Sequence, residues 1–163
     1  MEKYKLMKLN LCCGYDIKDD YDNYDIKPVD DKVRFLDCNI LPLPFKSESC
    51  KEIILNQGLE HLNINQLDFM NDINRILIKD GIINIGLPVY SPFIYHKTFN
   101  HTKGYFNPII IKKNAKEKYN IGSFELLNVI YKRRSFKGII YYLIDSYRRL
   151  TKESVCFKLI KKD

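Results

Sequence analysis

The first half of the chain alternates short apolar runs with polar or proline-containing connections. Four runs predict buried strands because each is followed by residues typical of turns; they cover residues 5–11, 24–26, 33–36 and 52–55. Apolar positions spaced by three and four predict an amphipathic helix over residues 64–78, which we expect to end at Asp80-Gly81. A further strand is predicted over residues 82–87, before Pro88.

The second half is less regular. Residues 89–108 are aromatic, contain prolines and predict a loop or lid, and helices are predicted within residues 108–119 and 136–150. Two late apolar runs, 124–131 and 155–160, predict strands. The order of elements predicts an open α/β sheet, mostly parallel, with helices on both faces. The two late strands predict an antiparallel edge hairpin at the carboxyl end of the chain.

Composition is that of one globular domain. The chain has 163 residues, of which 45% are hydrophobic and 29% charged. Five cysteines without a CxxC pair predict reduced thiols, and we expect neither a disulfide framework nor a metal site. No apolar run reaches the length of a membrane span, and residues 1–14 lack the apolar region of a signal peptide. The expected location is the cytoplasm.

Positive charge is concentrated late in the sequence. The net charge is −2 over residues 1–111 and +9 over residues 112–163, which together give +7. Such a basic segment is compatible with an anionic partner, but charge runs more often simply form a lysine-rich solvated surface.

Three residues at the ends of predicted strands suggest a nucleoside ligand. Gly14 follows the first strand and allows the backbone to approach a ligand closely, since it has no Cβ. Asp25 ends the second strand, where a carboxylate can accept both ribose hydroxyls. Asp37 ends the third, where it can accept from an adenine amino group. The alternative is that both aspartates only stabilise turns.

Five motifs in order resemble the small LNLGCG-type group of class I S-adenosylmethionine-dependent methyltransferases, within a methyltransferase-11-like family. They are Leu9-Asn10-Leu11-Cys12-Cys13-Gly14, Asn23-Tyr24-Asp25, Asp37-Cys38 with Leu43-Pro44-Phe45, Leu59-Glu60-His61-Leu62, and Arg75-Ile76-Leu77-Ile78-Lys79-Asp80-Gly81. The resemblance covers about half of the chain. It implies one Rossmann-like domain over residues 1–163, with a cofactor half (1–88) and an acceptor-side, sheet-closing half (89–163).

The resemblance also implies S-adenosylmethionine as the cofactor and assigns positions that contact it. The methionine portion would lie along Cys12, Cys13 and Gly14, the ribose hydroxyls at Asp25, the adenine at Asp37 and the backbone near Cys38, and the methyl end near Asn56 and Gln57. The sulfonium is intrinsically reactive, so a methyltransferase chiefly needs alignment and, for oxygen acceptors, a base. His61 and His101 are the candidate bases, and His61 has packing or helix capping as an alternative role.

The acceptor is expected to be a small molecule, a sugar or a carrier-linked intermediate, and the basic segment slightly favours an anionic one. Methylation of nucleic-acid bases is disfavoured because residues 56–59 lack the acidic-Pro-Pro-aromatic or Pro-Cys motif that such enzymes usually carry. Cys12 stands where the family has its first glycine, and its side chain could crowd the cofactor. The alternative hypothesis is therefore a degenerate methyltransferase-fold protein that serves as a binding or partner subunit without transferase activity.

Overall fold

The computed structural model describes residues 6–88, 124–133 and 152–162. Seven strands, one α-helix and one 3-10 turn lie in these ranges. They are β1 (Met7–Leu11), β2 (Asp22–Asp25), β3 (Val33–Phe35), β4 (Cys50–Asn56), the 3-10 turn (Leu59–His61), α1 (Gln66–Ile76), β5 (Leu77–Pro88), β6 (Phe124–Arg133) and β7 (Lys152–Lys161).

All the described strands join one sheet in the order β3-β2-β1-β4-β5-β7-β6. The first five run parallel to one another, and β7 runs antiparallel to both β5 and β6. This arrangement confirms the predicted open, mostly parallel Rossmann-like sheet with an antiparallel pair of carboxyl-terminal strands. The predicted loop or lid at 89–108 and the helices within 108–119 and 136–150 lie outside the described residues, as does the greater part of the predicted acceptor-side half.

One face of the sheet packs against α1 and holds the core. Alternate residues of the three central strands and one side of the helix contribute completely buried side chains: Leu9, Leu11, Ile53, Leu55, Ile83, Ile85, Phe69, Met70, Ile73 and Ile76. This follows from the period of two in strands and 3.6 in helices. Burying each such side chain contributes about 1.5–3 kcal/mol, so this layer fixes which face of every strand points inward.

The helix boundary differs from the expectation. Asn65 caps α1 by accepting a hydrogen bond from the Leu67 amide at 2.9 Å, so the helix begins at Gln66, two residues after the predicted start at residue 64. The helix ends at Ile76, however, and Asp80-Gly81 lies inside β5, with Asp80 at φ 60°. The prediction that this pair ends the helix is wrong because Leu77 already pairs with Cys50 of β4. Pairing with a neighbouring strand outweighs the local periodicity there.

The connections from β1 to β2 and from β2 to β3 contain no helix. The first is organised by two buried amides, Asn10 and Asn23, which are joined by a 2.8 Å hydrogen bond from Asn10 Nδ2 to Asn23 Oδ1. Asn10 also donates to the carbonyl of Asp16. Asn23 accepts from the Lys18 amide and donates to the carbonyls of Lys18 and Tyr21. These side chains stabilise the loop where a crossover helix would otherwise cover the strands.

Among the described helices, none has the length and hydropathy to cross a membrane.

Candidate functional site

The order of the strands places a crevice at the carboxyl ends of β1 and β4. From β1 the chain continues outward through β2 and β3, then returns to add β4 on the other side of β1. Ligands of open α/β sheets bind at such a reversal. The backbone there adopts the left-handed conformation at Cys12 (φ 52°), Gly14 (φ 51°) and Gln57 (φ 55°). Three such residues beside one crevice mark tight turns that end both strands at this edge of the sheet.

The Asp25 carboxylate lies beside the first of these turns. Its Oδ2 accepts a 2.9 Å hydrogen bond from the Gly14 amide, and its Oδ1 accepts one of the same length from the Lys27 amide. One amide on each oxygen orients the carboxylate and leaves lone pairs that can accept from hydroxyl groups. Ile26 follows with its apolar side chain exposed. Ile26 is a residue of this edge that the motifs do not point to, although an apolar residue directly after a strand-end aspartate was the available signal.

The turn after β3 is held by a chain of polar contacts. Asp37 Oδ1 accepts hydrogen bonds from the backbone amide and the side-chain amide of Asn39, at 2.9 and 2.8 Å. Asn39 Oδ1 in turn accepts from the Asn63 amide at 2.7 Å. Cys38, between them, is buried. Asn39 therefore links the turn after β3 to the segment after the 3-10 turn, a role that only the tertiary contacts show.

The two adjacent cysteines have different environments. Cys13 is buried, and its amide donates to the carbonyl of Tyr24 at 3.1 Å. The half-buried Cys12 side chain lies beside the Cys38 thiol and against Gly58. The interaction with the Cys38 side chain, followed by burial, raises the pKa of the Cys12 thiol, and burial raises that of Cys13. Both groups are therefore protonated thiols at neutral pH.

Asn56 and Gln57 end β4 on the other side of the crevice. The Asn56 carboxamide lies over Gly86 of β5 so closely that a Cβ on Gly86 would overlap Asn56 Oδ1. The Gln57 amide donates to the Gly86 carbonyl at 2.8 Å, and the Gln57 side chain is exposed. Gly86 is thus a further residue that shapes this edge, because its missing side chain makes room for Asn56.

The 3-10 turn follows at the same edge. Glu60 is only 6% exposed, and burial raises the pKa of its carboxyl. The charge of Glu60 contributes to raising the pKa of the Cys12 thiol. The His61 side chain is exposed. His101, the other candidate base, lies outside the described residues.

The positions selected from the sequence come from three parts of the chain. The turn after β1 and the end of β2 supply Cys12, Cys13, Gly14 and Asp25. The turn after β3 supplies Asp37 and Cys38, and the segment that ends β4 and continues into the 3-10 turn supplies Asn56, Gln57 and His61. The Asp25–Gly14 hydrogen bond joins the members of the first set, and the neighbouring thiols of Cys12 and Cys38 connect this set to the turn after β3. Gly58 joins them to the turn after β4, since it faces Cys12.

Solved structures of similar fold cover nearly the whole chain. The YcgJ protein from Bacillus subtilis is 11% identical with a TM-score of 0.63, and covers 98% of this chain and 93% of its own. An S-adenosylmethionine-dependent methyltransferase from Archaeoglobus fulgidus is 12% identical with a TM-score of 0.61, covering 97% and 88%. The [4+2]-cyclase SpnF is 12% identical with a TM-score of 0.60, covering 96% and 74%. At such identities the likeness shows the fold.

Comparison with curated protein sequences gives no match. A family model described as a methyltransferase domain matches residues 5–85, which include β1 to β4, α1 and most of β5. All five sequence motifs lie inside this range. The family match confirms the resemblance of this chain to the class I S-adenosylmethionine-dependent methyltransferases, and the strand order agrees with it.

Proposed function

We propose that this protein binds S-adenosylmethionine across the carboxyl ends of β1 to β4 and transfers its methyl group to a small-molecule, sugar or carrier-linked acceptor. The observation that carries the proposal is the Asp25 carboxylate, held by the Gly14 amide at the crevice beside the strand reversal. A carboxylate oriented in this way is suited to accept hydrogen bonds from the two hydroxyls of a ribose.

The other residues of this edge fit the rest of such a cofactor. Exposed Ile26 offers an apolar surface beside Asp25, which suits the face of an adenine ring. Asp37 and the backbone at Cys38 form the turn that would read the adenine edge. The methionine portion would lie along the Cys12–Gly14 turn, with Asn56 and Gln57 toward the methyl end. When bound, the cofactor supplies an electrophilic methyl group on a sulfonium.

The contribution of the protein to the reaction would be mainly alignment. Asn56, held over Gly86, is placed to orient groups at the end of β4. Of the two candidate general bases for an oxygen acceptor, His61 lies among the residues that the structure describes. Its side chain is exposed close to this edge. His101 is a second candidate.

The nature of the acceptor follows from charge and motif. The +9 of residues 112–163 favours an anionic small molecule or carrier, and residues 56–59 lack a motif for holding a flipped base. We propose a cytoplasmic protein without a nucleic-acid substrate. Retention on a nucleic-acid column that persists at about 0.3 M salt would contradict the latter, because multiple phosphate contacts give strong salt-dependent binding.

Isothermal titration with S-adenosylmethionine and S-adenosylhomocysteine tests the cofactor site. We expect binding to the wild-type protein and a loss of at least about tenfold in affinity for Asp25→Asn, because one oxygen acceptor becomes a donor. Asp22→Asn is the matched control: Asp22 lies at the opposite end of β2, 3.4 Å from Arg34. Its affinity should equal that of the wild type. Absence of binding to the folded wild-type protein at millimolar cofactor would overturn the proposal.

The second candidate function is a binding or partner subunit that transfers no methyl group. The structural similarity to the [4+2]-cyclase SpnF supports retaining this candidate, because a protein of this fold need not have methyl transfer as its activity. Methyl-labelled S-adenosylmethionine incubated with a small-molecule extract of the expression host separates the two. Labelled products that disappear in Asp25→Asn support the transferase. Cofactor binding without any labelled product favours the second candidate.

A further inference from the structure

We propose that Cys12 and Gly58 form a complementary packing pair. The side chain of Cys12 fills the space that a side chain at position 58 would occupy, and this packing keeps the cofactor crevice open. The expected effect of this packing on S-adenosylmethionine binding rests on the proposed function, whereas the packing itself is independent of that function. Gly58 becomes a positioning residue, since it acts through Cys12 and touches no reacting atom.

The contacts around Gly58 carry this inference. A Cβ added to Gly58 would lie 2.6 Å from the Cβ of Cys12, 2.9 Å from Cδ1 of Leu55 and 3.4 Å from Sγ of Cys12. The first two distances are too short for carbon atoms in contact. The two positions, one after β1 and one after β4, therefore share a single side-chain volume, and Cys12 occupies it.

Backbone conformation shows that the glycine is placed at the less expected of the two positions. Gly58 has φ −119°, which any residue can adopt, so its conformation gives no reason for a glycine. Cys12 has φ 52°, in the left-handed region that favours glycine. The missing side chain of Gly58 is thus explained by the volume of Cys12 and Leu55, and Cys12 bears the conformational strain.

The surroundings of the thiol agree with this placement. The Cys12 side chain contacts Cys38 from the turn after β3, packs on the apolar core, and lies close enough to Glu60 to be influenced by its charge. These groups come from the turns after β3 and β4. The side chain is therefore directed toward the packed ends of the strands, which explains how a residue larger than glycine fits in the β1 turn.

A double-mutant cycle with Gly58→Ala and Cys12→Gly tests the pair, with thermal unfolding and titration of S-adenosylmethionine as separate readouts. Gly58→Ala alone should lower Tm by about 5 °C, as overpacking does, and weaken cofactor binding by at least about tenfold because Cys12 is forced into the crevice. Cys12→Gly alone supplies the reference Tm and affinity against which the double variant is compared. The double variant should recover both Tm and affinity, because alanine then fills the vacated volume.

Cys13→Ala combined with Gly58→Ala is the matched control. Cys13 is the neighbouring thiol, but it supplies none of the three atoms nearest to a Cβ at position 58, so this pair should recover neither property. Iodoacetamide labelling adds a third readout: Cys12 should react faster in Gly58→Ala than in the wild type, because its thiol becomes more exposed.

The outcomes separate the two proposals. A wild-type Tm and affinity for Gly58→Ala, or a double variant as impaired as Gly58→Ala, would overturn the pairing. If the folded wild-type protein does not bind S-adenosylmethionine, the proposed function fails, and the Tm cycle alone decides the pairing. If the cofactor binds but the cycle is additive in both Tm and affinity, the proposed function stands and the pairing fails.

Discussion

The two ends of the sheet differ in what their side chains do. At the carboxyl ends of β1 to β4, the apolar side chains of Tyr15, Ile26, Phe35 and Ile40 are exposed. At the opposite end, where α1 leads into β5, charged side chains are satisfied by backbone carbonyls and amides. Left-handed residues occur at both ends, so the site is distinguished by its open turns and exposed apolar side chains, and the opposite end by its closely bonded polar groups.

The most extensive set of polar contacts on that side centres on Arg75. Its guanidinium donates to the carbonyl of Phe45 at 2.7 Å and to that of Leu43 at 3.0 Å, and it pairs with Asp72 at 2.7 Å. Asp72 also accepts from the Leu43 amide at 2.7 Å. One ion pair on α1 thus fixes the connection between β3 and β4, and through it the turn that carries Asp37.

The largest expected effect is that of Asp72→Ala. It removes a buried carboxylate and leaves the Leu43 amide and Arg75 without that partner, so we expect a loss of about 3 kcal/mol in the free energy of unfolding. Urea denaturation measures it. Asp68→Ala, an exposed aspartate on the same helix, should change stability by less than about 0.7 kcal/mol. Equal effects of the two substitutions would remove the distinction between the two ends of the sheet.

Asn23→Ala should give the next largest effect and should lower both the stability of the protein and its affinity for the cofactor. Four hydrogen bonds of its buried amide hold the β1–β2 loop, so we expect a loss of about 2 kcal/mol in stability. We also expect weaker binding of S-adenosylmethionine, since this loop follows Gly14. Lower stability with unchanged affinity, measured well below the new Tm, would show that the loop does not shape the site.

Lys161→Met should have a smaller effect confined to stability. Lys161 is buried at the end of β7, where its ammonium donates to the carbonyl of Leu77 at 2.7 Å and lies 3.7 Å from Glu48. Methionine keeps the apolar stem but not the donor, so we expect a loss of about 1.5 kcal/mol and no change in cofactor affinity. Lys158→Met, exposed on the same strand, is the control and should be close to neutral.

The smallest effect concerns the pH dependence contributed by Glu60. Burial raises the pKa of its carboxyl in the folded protein, so the unfolded chain releases this proton first as pH rises. Its contribution to stability is therefore greatest below the ordinary pKa and is lost as pH rises through the raised one. Relative to Glu60→Gln, the wild type should lose stability as pH rises above the ordinary range of a glutamate carboxyl. A difference that stays constant or grows with pH would contradict this assignment.

Local pattern was sufficient for the strands and not for the helix end. Residues 52–55 and 82–87 are short apolar runs between turn residues, and both lie inside observed strands, β4 and β5. The end of α1 was misplaced because the apolar spacing continues past Ile76, while the pairing of Leu77 with Cys50 depends on a strand far away in the sequence. Periodicity describes neighbours along the chain and carries no information on such partners.

The sequence by itself determined the order of strands and turns, the positions of Gly14, Asp25 and Asp37 at strand ends, and the family that these motifs resemble. These features depend on residue type and spacing, which are local. The tertiary structure alone decided that Asn10 pairs with Asn23, that Asn39 reaches the Asn63 amide, and that Cys12 fills the space beside Gly58. Each of these joins segments distant in sequence, and whether a side chain fits depends on the volume that the other segment leaves free.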